Sequence, residues 1–430
     1  MASAYFQQML AIIAAGAGGV VSSGNWFFAS TFGGIPRDRY NTTAGRPNLA
    51  GRARHLIGSG ARSKLRVMLP NWSVGSGANN LPANIVGCWL EANGVSVPVT
   101  FNGGSTTATM AAGLTKLESD DILPAPFGLA SFPVAMEAFI RLEVTAVSGV
   151  NRVILSQRYN PSAANKMIEY NPATCSVNTS GTGALAATGG TQGTDWANYT
   201  TASMTEICAT LIGVFVGADQ PVWVVVGDSI PTGDVDSSGT NNDISGFFQR
   251  SMFDADLASN PVANFKMSVS GARWTTYSTL TSQLTTWLSY ANRGLEELGT
   301  NDFGKDTGVL ISLATAQTSA QALWGIFRSA GITNKLYRTE LLCSTSGTYS
   351  TEAGQTVKPG WGAGGNPELF NTWIATQVGS NIDGKIRFVA PYGTDIYKWA
   401  PNATGDGLHP YAAMHTTMGA EFRAFRQGIA

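Results

Sequence analysis

The chain has 430 residues, with 27 Lys plus Arg against 28 Asp plus Glu and a net charge of −1. That length is simplest to divide into two large domains, and a hydrophobic fraction of 43% excludes a wholly disordered chain. Charged residues make up only 13% against roughly 25% in typical soluble proteins; with no basic block, nothing offers the electrostatic footprint of a nucleic-acid binder.

Glycine is abundant, 50 of the 430 residues, and Ser, Thr and Asn fill positions that Lys or Glu would usually hold. Such a surface suits an extracellular or particle-borne, β-rich protein. Residues 9–21 (MLAIIAAGAGGVV) are apolar, but no Lys or Arg precedes them and they are too short to span a bilayer. Residues 1–35 are therefore expected to dock on a neighbouring subunit or a larger assembly, with packing on their own domain as the alternative. Cys88, Cys175, Cys208 and Cys343 show no metal-ligand spacing and read as buried thiols.

Residues 36–215 read as strands separated by turns. Leu65, Val67 and Leu69 alternate with Lys64, Arg66 and Met68, and residues 95–101 lie between the hairpin signals Asn93-Gly94 and Asn102-Gly103. Residues 139–147 alternate again, placing Arg141, Glu143 and Thr145 on one side. The pattern predicts a β-sandwich, jelly-roll-like in kind. Trp72 and Trp89 are either core residues or platforms for a glycan.

From residue 216 to 430 the periodicity changes. Residues 222–226 (VWVVV) are an unbroken β-branched run, as in a parallel strand covered on both faces. Helices follow: one capped by Asp243 with Ile244, Phe247, Phe248 and Met252 inward, one burying Leu284, Trp287, Leu288 and Ala291, and one burying Ala322, Leu323, Ile326 and Phe327 before Gly331. Another begins at Asn366 and Pro367 and buries Leu369, Phe370, Trp373 and Ile374. Strands are expected between them at 265–269, 336–342 and 386–390. Alternating strands and helices predict a three-layer α/β/α domain on a parallel sheet, with reactive groups at the carboxyl ends of the strands.

Directly after the 222–226 strand, Gly227-Asp228-Ser229-Ile230 places a serine at a strand-to-helix turn. A serine needs a base to become nucleophilic. Of the three histidines, His55, His409 and His415, only His409 has a carboxylate three residues upstream, in Gly405-Asp406-Gly407-Leu408-His409-Pro410. That spacing lets Asp406 fix the imidazole tautomer. His415 is expected to face solvent or pack, and His55 to serve a surface or an inter-subunit contact. Gly271, ending a strand, offers an N–H and Asn301, in Gly299-Thr300-Asn301-Asp302, an amide, both as oxyanion donors.

The order of GDS, a strand-terminal Gly, GTND and DGLHP resembles the SGNH hydrolases, the GDSL-like lipases and esterases, over residues 216–430. The resemblance implies Ser229 as nucleophile, Asp406 and His409 as its triad partners, and the Ser229 N–H, Gly271 and Asn301 as the oxyanion hole. It implies neither cofactor nor metal; Asp302 with Asp228 finds no third ligand. One departure stands out: the approach to Asn301 carries Glu296 and Glu297 where apolar residues are expected, so that strand should be short, at an edge, or beside a solvent channel. The loops at 231–242 and 345–365 are polar and Gly-rich with aromatics such as Tyr349 and Trp361, which suits sugars. The family also includes carbohydrate O-deacetylases with an extra β-sandwich. The expectation is a carbohydrate esterase acting on O-acetylated glycans, carried on a phage virion or another extracellular assembly. Its rivals are a non-enzymatic virion attachment protein and a secreted bacterial lipase or esterase.

Overall fold

The computed structural model describes residues 24–31, 33–34, 39–41, 48–74, 82–146, 152–154, 156–157, 175–178, 205–206, 209–236, 245–252 and 260–429. In the first half, one antiparallel sheet runs in the order Phe27–Phe28, Thr210–Phe215, Arg62–Pro70, Lys116–Glu118. A second runs Cys175–Asn178, Asn48–Leu56, Glu137–Ala146, Ala83–Ala92, Val95–Pro98, with Ala108–Met110 also paired to Ala83–Ala92. Leu65, Val67 and Leu69 of the first sheet and Ile85, Leu90, Ile140 and Leu142 of the second share one apolar cluster. The hairpin signal at Asn93-Gly94 is met: both residues have positive φ, 48° and 73°, and Ala92 pairs with Val95 across them.

The opposite face of the first sheet is covered too. Met68, which alternates with the inward Val67 and Leu69, joins Ile212, Phe215 and Trp72 in a second cluster with the 216–430 half. Trp72 is fully buried, 6.4 Å from Trp287, and is core, not a glycan platform. Period-two alternation thus feeds two cores, because a second layer lies on the sheet. Arg141 and Glu143 are likewise buried, and Arg141 pairs with Glu91 at 3.1 Å.

In the second half, six parallel strands lie in the order Gly33–Gly34, Asn264–Ser268, Trp223–Gly227, Arg293–Glu297, Leu336–Thr339, Gly384–Ile386. Trp274–Ser278, Thr281–Leu288, Leu313–Ser329 and Asn366–Gln377 place Trp274, Leu284, Phe327 and Phe370 in the cluster that takes Val224, Val226, Phe265 and Met267 from the sheet. Gly246–Ser251 and Ala412–Gly428 place Phe247, Phe248, Met418 and Phe422 with Trp223, Val225 and Leu295 from the other face. The chain therefore alternates strand and helix around a sheet covered on both sides, as the unbroken apolar run at 222–226 requires.

Several expectations are corrected. Asp243 and Ile244 lie outside the described residues; the helix there, Gly246–Ser251, has Ser245 at its N-cap position. Leu369 is 40% exposed while Phe370 and Ile374 are buried. Residues 1–23 also lie outside the described residues, so docking elsewhere is not tested there; the end of the 1–35 segment follows the alternative, packing on its own chain. Phe28 stacks on Phe265 at 4.4 Å, and Gly33–Gly34 extends the parallel sheet. The strand Arg293–Glu297 is central, not an edge, and both its acids are buried. No helix among the described residues is long and apolar enough to cross a membrane.

Candidate functional site

The next strand along the chain, Asn264–Ser268, lies on one side of Trp223–Gly227, and the one after it, Arg293–Glu297, on the other. The connections leave in opposite directions there, which opens a crevice at the carboxyl ends of these strands. Ser229 stands in it. Asp228 caps the short turn of helix Ser229–Thr232, its Oδ1 accepting the Ile230 N–H at 3.0 Å, and Tyr277 donates to the carbonyl of Gly227 at 3.1 Å.

The partner of Ser229 arrives from the far end of the chain. His409 Nε2 lies 2.9 Å from Ser229 Oγ, and its Nδ1 lies 2.6 Å from Asp406 Oδ2. Asp406 Oδ1 accepts the N–H groups of Leu408 at 2.9 Å and His409 at 2.8 Å, so one carboxylate both builds the turn and orients the ring. Gly407, at φ 76°, is required: a Cβ there would lie 2.0 Å from the Thr345 carbonyl.

Electrostatics follow from these contacts. Burial lowers the affinity of His409 for a proton, but the hydrogen bond and charge of Asp406, with Asp234 and Asp228 further off, outweigh it and raise the imidazole above its ordinary value. Partial burial pushes Asp406 upward, yet its bonds to His409 and the two backbone N–H groups hold it well below the carboxylate range. Asp406 is therefore an anion and an acceptor, which requires the proton on Nδ1 and leaves the Nε2 lone pair for the serine hydroxyl.

The remaining sequence candidates border the same crevice. Gly271 follows the Asn264–Ser268 strand at φ 77° with open space where a side chain would project. Among the described residues, no acceptor meets the N–H of Gly271 or of Ser229. Asn301 lies in the short helix Thr300–Phe303, and its Nδ2 donates to Asp228 Oδ2 at 3.2 Å and to the Ala272 carbonyl at 3.1 Å. Ser270 Oγ donates to Asp234 Oδ2 at 2.6 Å, and the Asp234 N–H donates to the Ser229 carbonyl at 3.0 Å, tying the Gly271 turn to the Ser229 turn.

Other candidates fall outside it. His415 and His55 are buried, and burial pushes their pKa values down to about 4 and about 3; His55 Nδ1 lies 2.5 Å from Ser30 Oγ within the same chain. Trp361 is buried and donates to the Gly304 carbonyl at 3.1 Å; it is structural, whereas Tyr349 is only half-buried. Asp302 accepts the Trp274 N–H at 3.2 Å, and burial, with the nearby charges of Asp228 and Glu296, raises it to about 7. No group of three His, Cys, Asp or Glu among the described residues is placed to hold a metal ion.

The two acids before Asn301 have different partners. Glu296 meets Arg338 at 2.6 Å and accepts the indole N–H groups of Trp274 and Trp324, each at 3.3 Å. The carboxyl of Glu297 lies against that of Asp228, with its Oε2 buried and meeting no donor among the described residues. Sequence reasoning missed both arrangements, although an arginine inside the buried strand Leu336–Thr339 was a signal that a buried acid must lie beside it.

No protein-family model matches the chain, and no curated protein matches it by sequence. Solved structures that resemble it, most over about half of its length, include lipases, acylhydrolases and esterases. A GDSL-like lipase from Bacteroides thetaiotaomicron is 16% identical, covering 49% of this chain and 89% of its own, with a TM-score of 0.34. The psychrotrophic esterase EstA from Pseudoalteromonas sp. is 16% identical over 49% of this chain and 99% of its own, with a TM-score of 0.35. A family two carbohydrate esterase from Clostridium thermocellum, solved in complex with cellohexaose, is 12% identical and covers 94% of this chain and 99% of its own, with a TM-score of 0.37.

Proposed function

We propose that the protein is a serine esterase of the SGNH type. The observation that carries this reading is the continuous relay from Asp406 through His409 to Ser229, at 2.6 and 2.9 Å. Ser229 Oγ attacks an ester carbonyl as His409 Nε2 takes its proton, and Asp406 stabilises the imidazolium. The N–H groups of Ser229 and Gly271 and the amide of Asn301 receive the oxyanion. Asn301 gives up its bond to Ala272 to do so, while its bond to Asp228 holds the amide in place. His409 then protonates the leaving alcohol, and a water activated by the same ring releases the acyl group. Replacing Ser229 by Ala should remove ester hydrolysis and labelling by a fluorophosphonate; unaltered hydrolysis in that variant refutes the assignment.

The proposal extends to short acyl groups, O-acetyl above all, on carbohydrate. Tyr411 is 41% exposed, with its hydroxyl against Gly405, and the hydroxyl of Tyr349 lies beside Gly407, so two aromatics flank the turn that carries Asp406 and His409. Aromatic faces among polar groups suit sugar rings. Acetate released from acetylated polysaccharide, with none of the acid released from p-nitrophenyl palmitate, is the expected pair of results; the reverse pair refutes the substrate. In this reading the β-rich half is a jelly-roll-like sandwich that buttresses the catalytic sheet, which the shared cluster of Met68, Trp72 and Trp287 supports. The low charge supports a setting on a virion or another extracellular assembly, and co-purification with intact particles is its test.

A further inference from the structure

Asp228 and Glu297 form a pair of carboxyl groups directly behind the proposed oxyanion hole. Both are buried, at 0% and 2% exposure, their carboxyl groups face each other, and Glu297 Oε2 meets no donor among the described residues. The backbone reinforces the contact: the Asp228 N–H donates to the Glu297 carbonyl at 3.2 Å. The charged and titratable groups around the pair are Glu296, Asp302, Asp234, His409, Tyr277 and Arg338. Arg338, the one fixed cation among them, is held by Glu296 at 2.6 Å and by the carbonyls of Glu296 and Leu298. Two buried carboxyl groups facing each other do not both ionise without a cation of their own; one proton is retained between them.

We propose that Glu297 is a positioning residue for the esterase reaction: its carboxyl proton, donated to Asp228, holds Asp228 so that it fixes Asn301 and the Ser229 turn. Asp228 Oδ1 accepts the Ile230 N–H at 3.0 Å and Oδ2 accepts Asn301 Nδ2 at 3.2 Å. A carboxylate with three donors is locked in rotation, and the Asn301 amide is locked with it. Burial raises both groups above the ordinary carboxylate range, Asp228 to about 6, in keeping with a retained proton. Losing that proton leaves two charges where the oxyanion forms, so turnover falls on the alkaline side.

This inference rests on the esterase reading, and Ser229-dependent turnover in the wild type is measured first; its absence overturns both. With it established, Glu297→Leu should lower kcat at least about tenfold with little change in KM, since an oxyanion donor is displaced. Glu297→Gln, which keeps a donor for Asp228 but does not titrate, should recover most of that loss and abolish the alkaline fall in kcat. Infrared spectra of the wild type at neutral pH should contain a protonated-carboxyl band that Glu297→Gln lacks, a readout independent of turnover. Wild-type kcat in Glu297→Leu, an alkaline limb retained in Glu297→Gln, or no such band overturns the role of the pair and leaves the esterase standing.

Discussion

Asp406 is expected to tolerate removal better than conversion to its own amide. Its Oδ1 accepts two backbone N–H groups, from Leu408 and His409, while Oδ2 alone faces His409 Nδ1 at 2.6 Å. In Asp406→Asn the single oxygen stays with the two N–H donors and the NH2 turns to Nδ1. The ring is then forced to carry its proton on Nε2, facing Ser229, and cannot act as a base. A wrong tautomer in such a relay costs about 10⁴-fold. In Asp406→Ala nothing forces that tautomer, and because the Asp406 side chain is 47% exposed, water can accept from Nδ1–H. At the ring the loss is one charge-assisted hydrogen bond of roughly 1.5–3 kcal/mol, or about 10- to 160-fold in kcat/KM, while the turn also loses the acceptor of the Leu408 and His409 N–H groups. The pH profile supplies a second readout. The wild-type His409 is raised above its ordinary value of about 6.5, so the acid limb should lie above that pH. Asp406→Ala removes the largest of the contacts that raise it and leaves burial opposed only by the charges of Asp234 and Asp228, so the limb should move to lower pH. Hydrolysis of p-nitrophenyl acetate across pH 5–9 measures both effects, the pH span being about that of the two limbs. If Asp406→Ala proves as damaged as Asp406→Asn, or its acid limb does not move down, the tautomer argument is wrong.

Asn301→Ala should lower kcat about 10²- to 10³-fold with KM nearly unchanged, because the lost donor acts on the developing oxyanion; a change confined to KM would place Asn301 in substrate binding instead. Phe28→Ala should cost about 3–5 kcal/mol in chemical denaturation, since the ring is fully buried on Phe265 and beside Trp287, and an unchanged midpoint would deny the segment its place in the core. His55 is held neutral in the fold, with a pKa of about 3, while the unfolded chain protonates near 6.5. Its folded value is depressed, so this stability is present above about pH 6.5 and is lost at about 1.4 kcal/mol per unit as pH falls toward the folded value. His55→Gln should flatten the decline in melting temperature between about pH 6 and 4; a slope equal to the wild type counts against it.

Most of the proposed relay was legible in the sequence. A serine after a strand and an Asp three residues before a His are short-range features, and Ser229, Asp406 and His409 meet through direct hydrogen bonds. The oxyanion candidates were legible as types at strand ends. The acids at 296 and 297 were not, because their meaning lies in partners far along the chain: Arg338 on one neighbouring strand of the sheet and Asp228 just past the end of the other. Alternation likewise misled at Met68, Arg141 and Glu143, since periodicity reports that a strand has two faces and not what covers each.

Residue order alone determined the change from period-two strands to alternating strands and helices, and with it a parallel sheet whose carboxyl ends gather the candidate site residues. Only the tertiary structure decided that Gly33–Gly34 belongs to that sheet, that the two halves share a core through Trp72 and Trp287, and that Glu297 lies against Asp228. The physical reason is range. Propensity, capping and turn chemistry act over a few residues, whereas burial and the retention of a proton by a carboxyl pair depend on which distant segments exclude water together.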